Sequence, residues 1–242
     1  MNSDSERVRR IYDSIADAYD AKRKNPAESQ WNDFLESPAM ERVVRPLCAG
    51  ADVLDLGCGT GILSRELLAW GAKRVWGVDP SERMLALARR EVPEVTFAPG
   101  TAEAIPHDDA TFDLVASSLV LHYVRDLAPA FAEVRRVLRP GGHFVFSMHH
   151  PLGEVLSRDA NEPARVIAEP YFHNDEYRWQ MCKTDIISFH HTFADVVNGL
   201  AANGFVLRGV DECRPDPSVE GDFATYGFTS RYPNFCVFWA GG

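Results

Sequence analysis

Long apolar runs and paired cysteines are both missing from this chain of 242 residues. No stretch approaches the roughly 20 apolar residues that a membrane-spanning helix needs. The first ten residues, MNSDSERVRR, contain no apolar run, so the sequence predicts no secretion signal and a cytoplasmic location. The five cysteines are odd in number, widely spaced and without a CxxC pair, which argues against a disulfide framework and a zinc site.

Basic residues are also in the minority, with 25 lysines and arginines against 35 acidic residues and a formal net charge of −10. A surface of this sign repels phosphate backbones, so nucleic acid is not expected as a partner. A membrane is not expected either, because no segment is apolar enough to span one. A hydrophobic content of 45% over this length favours one sizeable domain spanning 1–242 rather than two separate cores. The sequence leaves open whether the protein is a monomer or a homodimer.

The most informative feature that is present is the segment VLDLGCGTG, from Val53 to Gly61. It reads as a buried strand that runs into a glycine-rich turn and then a helix, whose N-terminus presents free N–H groups to the turn. An isolated GxGxG is as well explained by an ordinary β–α turn. Two carboxylates favour a cofactor site: Asp55 stands two positions before the first glycine, and Asp79 ends the next strand, where it suits a ribose diol.

Strand-like and helix-like segments alternate along most of the chain. We expect strands near 52–56, 74–79, 95–98, 112–117 and 142–148, and helices near 5–20, 38–48, 61–70, 81–91, 126–138 and 193–203. Such alternation predicts parallel strands with helices on both faces. The apolar segments FVLRGVDECRP and NFCVFWAGG have no helical pattern between them, so we expect them to form an antiparallel pair at one edge.

These motifs together resemble those of class I S-adenosylmethionine-dependent methyltransferases of the small-molecule type. The segment from Gly100 to Pro106, GTAEAIP, matches the family's adenine-binding segment, with Thr101 where aspartate is usual. TFDLVASSLVLHYV and VRRVLRPGGHFVFS match its fourth and fifth strands, and IYDSIADAYD resembles its N-terminal cap helix. The resemblance extends over about residues 8 to 150.

The resemblance implies a Rossmann-like, doubly wound α/β fold with a seven-stranded, mostly parallel sheet and an antiparallel edge strand. It also implies an N-terminal helical cap over 1–48 and methyl transfer to a small-molecule acceptor by in-line displacement, with S-adenosylhomocysteine as product. The positions that it assigns to the cofactor are Tyr12, Tyr19, Asp55, Gly57, Cys58, Gly59, Gly61, Leu63, Asp79, Pro80, Met84, Thr101, Ala102, Glu103, Ser117 and Ser118.

Residues 149–192 interrupt the alternation and are rich in aromatic side chains and histidines. We interpret them as a substrate lid inserted after strand five, with DIISF as a candidate strand. A hairpin that only covers the core, or a dimer contact, is the alternative. The candidate substrate-binding residues are His149, Tyr171, Phe172 and Trp179.

Histidine is the residue best placed to accept a proton near neutral pH. His150 ends the fifth strand and His122 lies in the loop after the fourth, so both are candidate bases, and the alternative for each is a structural role in tying loops together. A metal site from His149, His190 and His191 is not expected, because neighbouring residues of an extended chain face opposite sides and no carboxylate pattern accompanies them.

Two other classes of protein remain as alternatives. A nicotinamide-dependent oxidoreductase is disfavoured by the glycine spacing, which is not GxGxxG, and by the segment after Gly100. A non-catalytic protein that keeps the fold as a ligand sensor or partner subunit is disfavoured by the intact glycine turn and Asp79. A nucleic-acid base methyltransferase usually carries an NPPY-like loop after strand four, where this chain reads SSLVLHY.

Overall fold

The computed structural model describes residues 3–158, 166–172, 176–223 and 225–242. Its main helices are α1 (Ser3–Lys24), α2 (Ser37–Cys48), α3 (Ile62–Ala69), α4 (Glu82–Glu91), α5 (Leu127–Val137) and α7 (Phe193–Ala202), and the short helices are α6 (Pro151–Glu154) and α8 (Tyr226–Thr229). A π-helical turn, Asn32–Glu36, runs directly into α2. Single 3₁₀ turns lie at Leu121–Tyr123 and Pro217–Val219.

The principal sheet has seven strands: β1 (Asp52–Leu56), β2 (Arg74–Asp79), β3 (Thr96–Pro99), β4 (Phe112–Ser117), β5 (Leu138–His149), β10 (Val206–Glu212) and β11 (Phe235–Gly241). They lie in the order β10-β11-β5-β4-β1-β2-β3. The pairs from β3 to β5 are parallel, whereas β11 runs antiparallel to both β5 and β10. The predicted fold class and antiparallel pair are confirmed, and the reversed strand β11 lies one place in from the edge.

Apolar side chains on both faces of the sheet explain its two helical layers. One core cluster joins α5 and α7 to β4 and β5 through residues such as Phe131, Val196 and Phe146. The other joins α2, α3 and α4 to the opposite face. Local caps fix where the helices begin: the Ser81 hydroxyl accepts from the N–H of Met84 at the start of α4, and Thr192 and Asp195 form a capping box on α7.

Two antiparallel hairpins occupy the segment that follows β5. The first pairs β6 (Leu156–Arg158) with β7 (Val166–Ala168), and the second pairs β8 (Glu176–Met181) with β9 (Thr184–Phe189). The strand predicted for DIISF is thereby confirmed as part of β9. Within the predicted lid, residues 159–165 and 173–175 lie outside the described residues.

The second hairpin packs against the N-terminal helix. Ile15 of α1 forms an apolar cluster with Met181 of β8 and Ile186 of β9. Arg7 extends this contact with an ion pair to Glu176, with 2.9 Å between Nη1 and Oε2. The predicted cap and the second half of the predicted lid are therefore in direct contact. No helix among the described residues is long and apolar enough to cross a membrane.

Candidate functional site

A cavity of 640 Å³ opens at the carboxyl ends of the five parallel strands β1 to β5. Each strand contributes a wall residue at or just after its end: Leu56, Asp79, Gly100, Ser118 and His149. The cavity lies within the range of about 300–1,000 Å³ that is typical of cofactor and ligand sites. The predicted site residues that line it are Tyr12, Tyr19, Asp55, Gly57, Cys58, Gly59, Leu63, Asp79, Pro80, Met84, Thr101, Ala102, Glu103, Ser118, His122, His149 and Trp179.

Two predicted cofactor residues are near this cavity but not on its wall. Gly61 caps α3 with a φ of 83°, and it faces α4, because a Cβ there would lie 3.3 Å from that of Ala88. Ser117 is fully buried and donates its hydroxyl to the carbonyl oxygen of Leu56 at 2.8 Å, so it joins β4 to β1. Both residues serve the shape of the site and do not face its interior.

Three residues predicted to serve the acceptor also lie away from the cavity, and this corrects the sequence interpretation. His150 caps α6 instead: its Nδ1 accepts from the N–H of Leu152, and its Nε2 lies 3.1 Å from the carboxylate of Glu212. The hydroxyl of Tyr171 accepts from the first N–H of α7. Phe172 is 89% exposed.

The glycine turn approaches the loop after β4 very closely. Gly57 has a φ of 76°, a conformation that non-glycine residues adopt at a cost. A Cβ on Gly57 would lie 2.2 Å from Cγ2 of Val120. The N–H groups of Gly57 and Cys58 both donate to the carbonyl oxygen of Val78, at 2.7 and 3.0 Å, which holds the turn against the end of β2.

Asp79 connects the turn to the start of α4. Its Oδ2 accepts from the N–H of Gly59 at 3.0 Å, and its Oδ1 accepts from the N–H of Ser81 at 2.9 Å. Burial raises the pKa of Asp79 to about 6, although these two hydrogen bonds oppose the rise. Each carboxylate oxygen retains a further lone pair, and the residue lines the cavity, so it can accept hydroxyl hydrogen bonds from a ligand.

Asp55 is the more deeply buried of the two carboxyl groups. Its Oδ2 accepts from the Ser64 hydroxyl at 2.6 Å, which ties the end of β1 to α3. Burial is the main cause that raises the pKa of Asp55 to about 7, and the charge of Asp79 adds to it. Burial likewise raises the pKa of the Cys58 thiol well above its usual range, so the thiol is protonated at neutral pH.

Thr60 was not predicted, yet it carries an unsatisfied group at the same end of the cavity. Its hydroxyl is buried and has no hydrogen-bond partner among the described residues. Buried hydroxyls are normally paired, so this one indicates a place for a polar ligand group. The only signal in the sequence was its position inside the glycine turn.

Helix α1 covers one side of the cavity with aromatic residues. The hydroxyls of Tyr12 and Tyr123 lie 2.6 Å apart, and the ring of Tyr12 contacts that of Tyr19 edge-to-face at 6.0 Å between centroids. Asp13 of α1 accepts from the Ser81 hydroxyl at 2.6 Å, which ties the helix to the start of α4. Burial raises the pKa of both Tyr12 and Tyr19, so their hydroxyls stay protonated.

Two histidines also line the cavity. The rings of His122 and His149 stack with centroids 3.8 Å apart and an angle of 11° between their planes. Burial lowers the pKa of His149 to about 4 and that of His122 well below its usual value, so both are neutral at pH 7. Neither ring nitrogen of His122 has a partner among the described residues. Trp179 lies edge-on to His149, 5.4 Å between centroids.

Several polar residues of the cavity wall went unpredicted. Glu36, in the π-helical turn, is buried and accepts from the hydroxyls of Ser118 and Ser147, at 2.7 and 2.6 Å. Burial raises the pKa of Glu36. Glu154, Tyr177 and Asn234 also line the cavity, and Oδ1 of Asn234 is buried without a partner among the described residues. The only signal in the sequence for Glu154 and Tyr177 was their position inside the predicted lid.

The part of the chain that the structure describes contains no candidate metal site. No cluster there of three or more histidine, cysteine, aspartate or glutamate side chains could hold a metal ion. His190 and His191 are committed elsewhere: Nε2 of His190 bonds the carbonyl oxygen of Tyr171, and Nε2 of His191 bonds that of Val124.

Comparison with known proteins concerns mainly the cofactor half of this site. Residues 54–146 match a family model described as "Methyltransferase domain". The demethylmenaquinone methyltransferases of Symbiobacterium thermophilum and Clavibacter sepedonicus are 35% and 40% identical to the chain over 146 and 141 residues. Both matches cover 57% of this chain, and they span only 57% and 56% of the two relatives.

Similar solved structures extend over more of the chain. A crystal structure of an S-adenosylmethionine-dependent methyltransferase from Mesorhizobium loti is 32% identical, with a TM-score of 0.74, and the match covers 86% of this chain and 97% of that one. A putative methyltransferase of the same kind from Listeria monocytogenes is 29% identical, with a TM-score of 0.72, over 81% of this chain and 91% of that one.

Proposed function

Because this chain belongs to the class I S-adenosylmethionine-dependent methyltransferases, we propose that it transfers a methyl group from S-adenosylmethionine to a small-molecule acceptor. The family predicted from the sequence motifs is thereby confirmed. The observation that carries the proposal is Asp79, a buried carboxylate at the cavity wall that is held by two backbone N–H groups and can still accept two ribose hydroxyls.

The polar groups of the cavity wall that can still make hydrogen bonds fit this cofactor. Asp79 would hold the ribose, and the Thr60 hydroxyl and the glycine turn would meet the methionine portion. Thr101 and Ala102 line the wall beside the place proposed for the adenine. When bound, the cofactor supplies a methyl group that is activated by a positively charged sulphur. The protein then has to align the acceptor and exclude water, which is the role we propose for α1 and the β8–β9 hairpin.

The proposed acceptor is a small molecule with a flat, largely apolar body. Trp31, Trp179 and Phe235 contribute aromatic surface to the cavity wall, and we assign none of them to the cofactor. Aromatic walls suit aromatic ligands, and the 640 Å³ must be shared with the cofactor. Two of the relatives are named demethylmenaquinone methyltransferases, but their similarity covers 57% of this chain and supports no particular molecule.

Calorimetric titration tests the cofactor part of the proposal. We expect S-adenosylhomocysteine to bind and NAD not to bind. Asp79→Ala should weaken binding by about 1.5–3 kcal/mol, because hydrogen bonds to a charged group are lost. Asp17→Ala is the matched control: it removes the same charge from an ion pair with Arg83 outside the cavity, and it should leave affinity unchanged. Equal affinity of both variants and the parent would overturn the ribose role.

Transfer of label tests the acceptor part. The protein is incubated with methyl-labelled S-adenosylmethionine and, separately, with a low-molecular-weight extract, nucleic acid and protein. We expect label only in the small-molecule fraction, in keeping with the net charge of −10. Label in nucleic acid or protein would contradict the acceptor class, and cofactor binding without any transfer would favour the sensor alternative.

A further inference from the structure

We propose that His149 is the general base that removes the proton from a hydroxyl group of the acceptor, and that Tyr177, Glu154 and His190 are positioning residues that set its tautomer. This inference rests on the proposed methyl transfer and names the class of acceptor. It starts from a buried chain of hydrogen bonds that connects His149 on the cavity wall to His190, which directly follows β9.

Which atoms donate and which accept along this chain of hydrogen bonds is determined first at His190. Nε2 of His190 lies 2.9 Å from the carbonyl oxygen of Tyr171, and a carbonyl oxygen can only accept, so Nε2 carries a hydrogen. Nδ1 of the same ring lies 2.5 Å from Oε2 of Glu154, and both side chains are almost completely buried. The pair therefore fixes the carboxyl group of Glu154 in the interior of the insertion.

Glu154 in turn sets the direction of the next two bonds. The hydroxyl of Tyr177 donates to Oε1 of Glu154 at 2.8 Å, which uses its one hydrogen. The same hydroxyl lies 2.8 Å from Nδ1 of His149 and can only accept there. His149 must then carry its hydrogen on Nδ1, which leaves the basic lone pair on Nε2.

The remaining nitrogen of His149 is in a position to act. No described residue makes a hydrogen bond to Nε2, and the residue lines the cavity between His122, Trp179 and Phe235. Burial keeps the imidazole uncharged, with a pKa of about 4. A buried imidazole of this kind becomes protonated only when a negative charge lies beside it. The acceptor supplies that charge, because its oxygen becomes negative as it gives up its proton, so the base acts when an acceptor is bound.

Neither of the two histidines predicted as bases has this arrangement among the described residues. Both nitrogens of His150 are engaged with Leu152 and Glu212, away from the cavity. His122 lines the cavity, but no described residue orients either of its nitrogens. Its place under the ring of His149 makes it a flat support for the base.

The proton step is simple to balance. The O–H bond of the acceptor breaks, the proton goes to Nε2 of His149, and the electron pair stays on the oxygen. That oxygen forms the new bond to the methyl carbon as the bond from this carbon to sulphur breaks, and the pair of the broken bond leaves with the sulphur of S-adenosylhomocysteine. The proton leaves to water after the product departs. A neutral hydroxyl, such as that of a phenol, needs this help, because its pKa of about 10 keeps it protonated at pH 7. A free amine would need no base.

The tautomer can be observed without any turnover. In ¹⁵N-histidine spectra of the protein with S-adenosylhomocysteine at pH 7, we expect His149, identified by its loss in His149→Gln, to show a protonated Nδ1 and a bare Nε2. Tyr177→Phe and, more weakly, Glu154→Gln should shift the proton towards Nε2. Tyr232→Phe, which removes a hydroxyl outside the cavity, should not. A protonated Nε2 in the parent, or no response to Tyr177→Phe, would overturn the inference.

Kinetics with a series of ring-substituted phenols separates a base from a structural residue. His149→Gln should lower kcat about 10²–10⁴-fold on phenols that are neutral at the assay pH. The loss should shrink towards none on phenols that are already ionised, and affinity for S-adenosylhomocysteine should stay unchanged. An equal loss across the series, or no methylation of any phenol by a protein that still binds S-adenosylhomocysteine, would overturn this inference alone. Failure of the Asp79 test would instead remove the proposed function.

Discussion

Replacement of Gly57 by alanine tests how tightly the glycine turn is packed against the loop after β4. Two separate costs are expected. The backbone has a φ of 76°, and the new Cβ would lie 2.2 and 2.8 Å from the two methyl groups of Val120. Gly50 is a matched control, because its φ is 75° and no atom lies within 4 Å of the position of its Cβ. A difference between the two variants therefore reports the contact alone.

The magnitudes follow from these two terms. The left-handed conformation costs a non-glycine residue about 1–2 kcal/mol. Alanine also lowers the conformational entropy of the unfolded chain, which stabilises the folded protein by about 0.4–1 kcal/mol. Gly50→Ala should then lower the free energy of unfolding by about 1 kcal/mol. Overpacking adds about 1–3 kcal/mol, so Gly57→Ala should lose about 2–4 kcal/mol.

Urea unfolding of the parent, of the single variants Gly50→Ala, Gly57→Ala and Val120→Ala, and of the double variant Gly57→Ala with Val120→Ala provides the test. The second change removes both methyl groups but leaves the Val120 Cβ, 3.1 Å from the new Cβ, so it should recover part of the loss. A coupling energy of about 1–2 kcal/mol between positions 57 and 120 is expected. Equal losses at Gly50 and Gly57, or no coupling, would refute the proposed contact.

Two further predictions concern buried ionisable groups. Burial raises the folded-state pKa of Asp55 to about 7, whereas the unfolded chain releases this proton near pH 4. The free energy of unfolding therefore falls as pH rises from about 4 to 7. Asp55→Asn, which can still accept from Ser64, should be more stable than the parent by about 1–4 kcal/mol at pH 8 and equal to it near pH 4 in urea unfolding. A gain that does not change with pH would contradict this. His150→Ala should lower stability by about 0.5–2 kcal/mol through loss of the α6 cap, and His150→Asn should lose less. Neither change should alter affinity for S-adenosylhomocysteine in calorimetry, and a large loss of affinity would place His150 in the site after all.

The sequence by itself was sufficient for the sheet and for the cofactor half of the cavity. The features involved are local: an apolar strand, glycines that permit positive φ, and an acidic residue at the end of the next strand. Because parallel strands place their carboxyl ends at one edge, Asp55, Asp79 and the segment after Gly100 come together whenever the strands form. This explains why most of the predicted cofactor positions line the cavity.

The acceptor half was decided by tertiary structure. His149 and His150 are adjacent, and only the point where β5 ends and α6 begins determines which of them faces the cavity. Glu36 reaches the wall from a π-helical turn whose contacts with Ser118 and Ser147 are distant in sequence. The chain of hydrogen bonds from His190 through Glu154 and Tyr177 to His149 joins the loop after β9 to α6, β8 and β5. No periodicity marks such residues, because their partners come together only through the packing of the hairpin on α1 and the sheet.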